Sequence, residues 1–265
     1  MIHRLRLAFG LLLVVVASVF LLPLQCICLY FDWKLRRYLP RLWHRLVCYA
    51  FGLHIRVHGA PDRRRPLMLA SNHSSWLDIL VLSAVADVAF IAKIEVRDWP
   101  IFGLFARLQK TVFVVREQKR KTGEQVNEIA ERMAGGEIVV LFPEGTTSDG
   151  NRLLEVKSSL FGAAAAALPA APEGVVHVQP VAVAYTGIHG MPMGRYHRPV
   201  ATWPGDIEMM PSLKGVLACG AIDVDVHFGE TVDYRADSNR KQVAAEVTER
   251  IRALLSGLLL GRHKT

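Results

Sequence analysis

The sequence predicts an α/β fold, a mostly parallel sheet flanked by helices, with an N-terminal membrane-associated helical segment ahead of it. Three observations predict it. From residue 53 onward short apolar runs alternate with helical stretches, residues 8–31 carry no charge, and 51% of the 265 residues are hydrophobic against 21% charged. Such a composition excludes a disordered or acidic tail protein and demands a packed core. Lysine and arginine number 32 against 24 acidic residues, a formal net charge of +8. A basic and apolar chain points to a membrane surface before nucleic acid. No basic helix interleaves with stacking aromatics, so nucleic acid is not expected as a partner. Cys26, Cys28, Cys48 and Cys219 form no C-x-x-C pair and no cluster with histidine, so no metal site and no disulfide scaffold is expected, and a reducing compartment fits.

Residues 8–31 contain only Ser18 and Gln25 as distinctly polar side chains. A bilayer-spanning helix needs roughly 20 apolar residues, so this run is long enough. It is too long for an ordinary signal-peptide core and no small-x-small site follows it, so an uncleaved anchor is expected. Arg4 and Arg6 precede it, and Lys34, Arg36, Arg37, Arg41 and Arg45 follow closely. The positive-inside rule then places the rest of the chain in the cytoplasm, against an inner membrane. Pro23 leaves a kinked or re-entrant helix open. After it, Leu35, Tyr38, Leu39, Leu42, Trp43, Leu46, Val47 and Ala50 recur at helical spacing, with Arg36, Arg37, Arg41, His44 and Arg45 on the other side. That stripe suits the headgroup layer or docking on the soluble core, and Pro40 is expected to kink it. Residues 1–52 therefore read as anchor and interfacial helix, and 53–265 as a catalytic-sized domain.

Within that domain, strands are expected at 53–58, 67–71, 88–92, 111–115, 138–142, 178–185 and 222–228, by alternation or by short buried runs. Helices are expected at 76–86, 99–107, 120–133, 158–168 and 239–260. In the last, Val243, Val247, Ile251, Leu254, Leu255 and Leu258 share one face. Alternation of this kind means helices covering a largely parallel sheet.

Strand ends in such sheets carry chemistry. His73 leaves the 67–71 run, and Asp78 stands five positions on, in the first turn of the next helix. A carboxylate there can hold one imidazole nitrogen and leave the other free to take a proton from a hydroxyl. Ser75-x-x-Asp78 is equally a helix capping box, and spacing alone favours the cap. The 138–142 run ends in Pro143-Glu144-Gly145-Thr146-Thr147-Ser148-Asp149-Gly150, a turn rich in glycine and hydroxyls with a carboxylate at its mouth. Arg116 ends the 111–115 run, and Gln179-Pro180-Val181 places a proline inside another.

Four blocks in this order resemble the glycerolipid acyltransferase family, which includes the lysophosphatidate acyltransferases. His73 and Asp78 match its H-x4-D motif, and 103–116 resembles the second block, with Arg116 as terminal arginine. Phe142 to Ser148 is similar to its F-P-E-G block, and 179–181 to its proline block. The resemblance implies acyl transfer from a thioester of acyl carrier protein or coenzyme A to a lysolipid hydroxyl at a membrane, with no cofactor. It implies His73 as general base, Asp78 as its orienting partner, and Glu144, Gly145, Thr146 and Thr147 along the acceptor site. Arg116 would meet a phosphate, although by itself it reads as part of a solvated basic stretch. Lys93 reads either as a site residue or as a surface charge. Members with a phosphorylated acceptor commonly carry arginine where this chain has Thr147, and threonine cannot make arginine's bidentate contact. With residues 195–206, this resembles the lyso-ornithine lipid acyltransferase branch, which acylates a hydroxyl on an amino-acid lipid. A lysophosphatidate acceptor is the alternative. A non-catalytic protein that binds anionic lipid would suit the charge and the helices but gives no reason for His73 beside an F-P-E-G turn.

Overall fold

In the computed structural model, residues 2–114, 119–205 and 208–262 are described. Helix α1 (Ile2–Tyr30) runs unbroken through Pro23, a short 3-10 turn (Lys34–Arg37) reverses the chain, and α2 (Tyr38–Phe51) returns alongside it. Pro40 sits in the first turn of α2, where a missing N–H removes no intrahelical bond, so it starts the helix rather than kinking it. The two helices approach closely enough that a Cβ on Gly10 would come within 2.9 Å of the Ala50 backbone.

The stripe of α2 divides between two surfaces. Leu39, Val47 and Ala50 are buried, whereas Tyr38 and Leu42 are exposed. His44, read from the sequence as polar-faced, is buried as well, with its Nδ1 2.6 Å from the Pro40 carbonyl. Packing of α2 against both α1 and α3 (Leu77–Val85) explains this, because two covered sides leave little room for a solvated one.

The sheet contains β1 (Leu53–His58), β2 (Leu67–Ser71), β3 (Val88–Lys93), β4 (Val112–Val114), β5 (Ile138–Leu141), β6 (Val176–Ile188), β7 (Met191–Pro192), β8 (Ile222–Phe228) and β9 (Val232–Tyr234). Its main order is β1-β8-β6-β2-β5-β3-β4, with β7 and β9 also paired to β6. Pairs β2 with β5, β2 with β6, β3 with β4, β3 with β5 and β1 with β8 are parallel, and β6 meets β7, β8 and β9 antiparallel. The mostly parallel sheet is as expected. The antiparallel pairings arise because β6 is long enough to change partners. Pro180 sits at the change, between the register with β9, which ends at Val178, and that with β8, which begins at Val181.

Helices cover both faces. Leu67 and Leu69 join α2, α3 and α7 (Met209–Cys219) on one side. Met68 and Ala70 meet α5 (Lys119–Ala134), α6 (Gly162–Ala167) and α8 (Arg240–Leu259) on the other. Every residue of β2 is buried, so it reads as a continuous apolar run rather than an alternating one. Each large side chain so buried contributes about 1.5–3 kcal/mol. The last helix is α4 (Phe102–Leu108), where a Cβ on Gly103 would lie 2.1 Å from the Arg97 carbonyl oxygen.

Helix α1 touches the domain at both ends. Arg6 donates to the Gly220 carbonyl, and Gln25 Nε2 donates to the carbonyls of Leu108 and Arg36 at 2.9 and 3.1 Å. Between them Trp43 Nε1 donates to Ser18 Oγ at 2.8 Å. The outward side is bare: Phe9, Leu12, Val15, Val19 and Phe20 are exposed, and the 26-residue stretch Leu5–Tyr30 is long and apolar enough to cross a membrane.

Candidate active site

The chain leaves β2 at Asn72, whose side chain continues the sheet where the backbone cannot. Asn72 Nδ2 donates to the Val183 carbonyl at 2.9 Å, and Val183 N–H donates to Asn72 Oδ1 at 2.8 Å. The main chain is thereby released into a turn that carries His73 clear of the strand. His73 Nδ1 lies 2.9 Å from Asp78 Oδ2, and the imidazole stacks on Phe142 with centroids 4.0 Å apart. No described residue bonds the other ring nitrogen, Nε2.

Asp78 is fully buried and serves two ends at once. Its Oδ2 also accepts the backbone N–H of Ser74 at 2.7 Å and of Ser75 at 2.9 Å, and its Oδ1 accepts the Tyr185 hydroxyl at 2.7 Å. Dyad and helix-start cap, alternatives in the sequence, are one carboxylate with four donors. Burial, then the Asp78 charge, push the Tyr185 phenol well above its ordinary range, so it stays protonated as a donor.

Glu144, 2% exposed, accepts the His73 N–H at 2.6 Å on one oxygen and the Leu154 N–H at 2.7 Å on the other. Burial pushes its carboxyl up to about 7, against the pull of those two amides. One backbone amide on each oxygen thus makes Glu144 a brace of the histidine turn. Gly145 follows in the left-handed region at φ 70°, Thr146 is exposed and Thr147 half-buried. Ser148 N–H then donates to the His73 carbonyl at 2.9 Å, so the 144–148 turn grips the histidine turn at two points.

A third segment closes over these two. Trp203 N–H donates to the Ser74 carbonyl at 2.7 Å. The buried Arg198 donates to the carbonyls of Tyr185 and Met193 at 3.3 and 3.0 Å and to Asn151 Oδ1. A Cβ on Gly150, itself at φ 72°, would sit 2.6 Å from Thr202. Residues 193–205 therefore form a fitted wall beside His73 and the 144–150 turn. Lys93 is exposed at the end of β3, paired with Val114 of β4. Arg116, expected at a phosphate, lies outside the described residues. Gln179 is a strut: its amide donates to the carbonyls of Ala60 and Gly229, and its oxygen accepts from Asp62 N–H.

Sequence reasoning missed Asn72 and Tyr185. The second lies 107 positions from Asp78 and carries no local spacing signal. It reaches the dyad because β6 extends past the end of β2, whose last partner on it is Val181.

A buried carboxylate, an imidazole with one nitrogen engaged and one free, and a wall of ordered loops at the carboxyl edge of a parallel sheet suit removal of a proton from a hydroxyl. Together with the fold they define an acyltransferase. The model of the Acyltransferase family matches residues 54–184. The chain is 63% identical over all 265 residues, and 91% of the relative, to Lyso-ornithine lipid O-acyltransferase of Rhizobium meliloti (strain 1021). It is 53% identical over 263 residues, 99% of this chain and 98% of the relative, to the protein of the same name from Brucella abortus (strain 2308). The chain belongs to the glycerolipid acyltransferase family. Its fold matches the crystal structure of the 1-acyl-sn-glycerophosphate acyltransferase PlsC from Thermotoga maritima, with a TM-score of 0.60, 22% identity, and coverage of 98% of this chain and 99% of that one.

Proposed function

We propose that this enzyme transfers a fatty acyl group from an acyl thioester to the hydroxyl of lyso-ornithine lipid. The observation that carries the reaction is the His73–Asp78 pair, 2.9 Å apart, with Nε2 free. His73 Nε2 takes the proton of the acceptor hydroxyl as its oxygen attacks the thioester carbonyl carbon. The tetrahedral intermediate collapses with cleavage of the carbon–sulfur bond, and the departing thiolate recovers the proton from His73. Asp78 holds the ring and offsets the imidazolium charge, and no covalent enzyme intermediate is needed. Gly145, Thr146 and Thr147 line the acceptor side, Glu144 braces the histidine turn beside it, Lys93 lies toward a substrate headgroup, and Arg116 is assigned to a substrate phosphate from its place in the second sequence block alone.

The acceptor reading is supported by the two relatives matched over essentially the whole chain and by Thr147, which offers a phosphate no bidentate cation. The donor is a thioester of acyl carrier protein or coenzyme A. Residues 1–52 serve as anchor and 53–265 as the catalytic domain, on the cytoplasmic side of the inner membrane. Because α1 is tied to the domain at both ends, its bare apolar side lies along the bilayer surface beside the domain, rather than projecting as a free rod.

The test is a side-by-side assay of lyso-ornithine lipid and lysophosphatidate with the same thioester. Wild type is expected to show the higher kcat/KM with lyso-ornithine lipid, and Thr147→Arg to narrow the gap by improving lysophosphatidate, since an unpaired buried dianion is costly. Equal or better use of lysophosphatidate by wild type would make phosphatidic acid synthesis the function.

A further inference from the structure

A cavity of about 350 Å³ opens between the α1–α2 corner and the N-terminal edge of β2, β3 and β5. It stands at the opposite end of β2 from His73, so acyl transfer makes no use of it. Arg36, Arg37, Arg41, Arg65 and Lys110 line it, against two carboxylates, Asp87 and Glu137. Those carboxylates neutralise the cations incompletely. Arg36 is paired, with Asp32 at 2.9 Å and Glu137 at 3.3 Å, but Glu137 stands 3.9 Å from Arg37 and Asp87 3.9 Å from Arg41, whose closer partners are neutral carbonyls, Gly135 for Arg37 and Ala84 and Val85 for Arg41. Arg65 spends one guanidinium nitrogen on the carbonyls of Asp62 and Arg64, and Lys110 has only the exposed Asp32 at 3.9 Å among the described residues. Burial is the first cause that holds Lys110 and Arg65 below their ordinary values; Arg36 adds to it at Lys110 and Arg37 at Arg65, against the opposing pull of Glu137 and Asp32 on the first and of Asp62 on the second. Both cations are thus partly desolvated, which favours an anion brought in beside them.

A second observation is independent of charge. Gln25, 4% exposed, lines the same cavity with both donor bonds made, yet its carbonyl Oε1 has no partner. A buried acceptor left unpaired costs free energy that a ligand donor would recover. The surroundings identify the ligand's phase. Tyr30, Phe31, Trp33 and Tyr38 are all exposed around this corner, where the bare side of α1 ends. Exposed aromatic rings beside cations, at the end of an apolar helix, mark the headgroup level of a bilayer.

We propose that this cavity binds the headgroup of an anionic phospholipid of the surrounding membrane, its phosphodiester among Arg37, Arg41, Arg65 and Lys110 and a headgroup hydroxyl donating to Gln25. The lipid is a bound neighbour, not a substrate, and it seats the base of the domain on the bilayer. The orientation rests on α1 lying in the membrane, and the test separates the two.

Full-length protein is mixed at physiological salt with vesicles of phosphatidylcholine alone, with added phosphatidylglycerol, or with added phosphatidylmethanol, which has equal charge and no headgroup hydroxyl. Binding is read by flotation. Wild type is expected to bind phosphatidylglycerol vesicles about tenfold or more better than phosphatidylcholine, each basic side chain at such a surface giving a roughly fivefold gain. Phosphatidylmethanol should fall between them. The pair Arg37→Gln and Arg65→Gln should abolish most of the gain while leaving phosphatidylcholine binding and the melting temperature unchanged, and Gln25→Leu should make the two anionic lipids equivalent. An equal loss from Arg235→Gln with Arg240→Gln, outside the cavity, would overturn the site in favour of diffuse attraction. So would equal binding of phosphatidylglycerol and phosphatidylcholine vesicles by wild type. Displacement by millimolar inorganic phosphate would make free phosphate the ligand. Binding of acyl carrier protein that depends on Arg37 and Arg65, without a phosphatidylglycerol gain, would make the patch a protein site. Failure of wild type to bind phosphatidylcholine at all would count against the membrane placement of α1, not against the cavity.

Discussion

Asp78 shows how much can rest on two oxygens. Because the same Oδ2 bonds His73 and accepts the Ser74 and Ser75 amides, its substitution touches catalysis and folding together. Asp78→Asn is expected to lose activity by roughly 100- to 10,000-fold and also to melt lower, since an amide nitrogen turned toward these donors leaves at least one unpaired, at about 1–3 kcal/mol. Steady-state assay and thermal melting check both halves; an active, destabilised variant would leave only the capping role. Tyr185→Phe is the cleaner probe, because it removes one donor from Oδ1 and leaves the backbone bonds in place. A fall in kcat of about 10- to 100-fold with KM nearly unchanged is expected, by analogy with the outer partners that orient metal-binding side chains. A change confined to KM would place Tyr185 in substrate binding instead.

At the level of elements, the turns around the dyad are legible only as a set. The H-x4-D and E-G-T blocks announce themselves in the sequence, and the structure joins them through Glu144 to His73 N–H and Ser148 N–H to the His73 carbonyl. What the spacing hides is that β6 outruns its parallel partner and turns to antiparallel pairing with β8. That pairing also builds an acid-sensitive joint beside β1. Burial alone would raise the Asp225 carboxyl, but hydrogen bonds from Arg56, His58 and Thr186 outweigh it and hold the group well below the usual carboxylate range. A depressed carboxyl contributes stability that is present above its unfolded pKa, about 3.9, and is lost as pH falls below it. Thermal melts of wild type and Asp225→Asn should therefore differ most at neutral pH and converge on acidification. A constant difference from neutral to strongly acidic pH would remove Asp225 from the acid response.

For the whole molecule, the pairing of α1 with both α2 and the domain makes the apolar helix and the sheet domain one body. Apolar burial of the α1 face in lipid is insensitive to salt, whereas the attraction of Arg37 and its neighbours is screened beyond about 10 Å at 0.1 M. Intact protein is expected to remain on membranes through a high-salt wash and to leave with detergent. Removal of residues 1–31 should give an association that salt strips. Release of the full-length chain by salt alone would refute the anchor.

The sequence by itself determined the α/β class, the order of the main elements, the apolar N-terminal helix and the five-residue spacing of His73 and Asp78, which it left open between dyad and cap. These are written in local periodicity and in residue types at short spacing. Only the tertiary structure decided that α2 is covered on two sides with His44 buried, that Glu144 turns its oxygens to backbone amides, and that Tyr185 and Asn72 complete the site. Each of these depends on which segments meet across the sheet. Hydrogen bonds between partners 71 to 111 positions apart are set by strand order and strand length, quantities that no window along the chain contains.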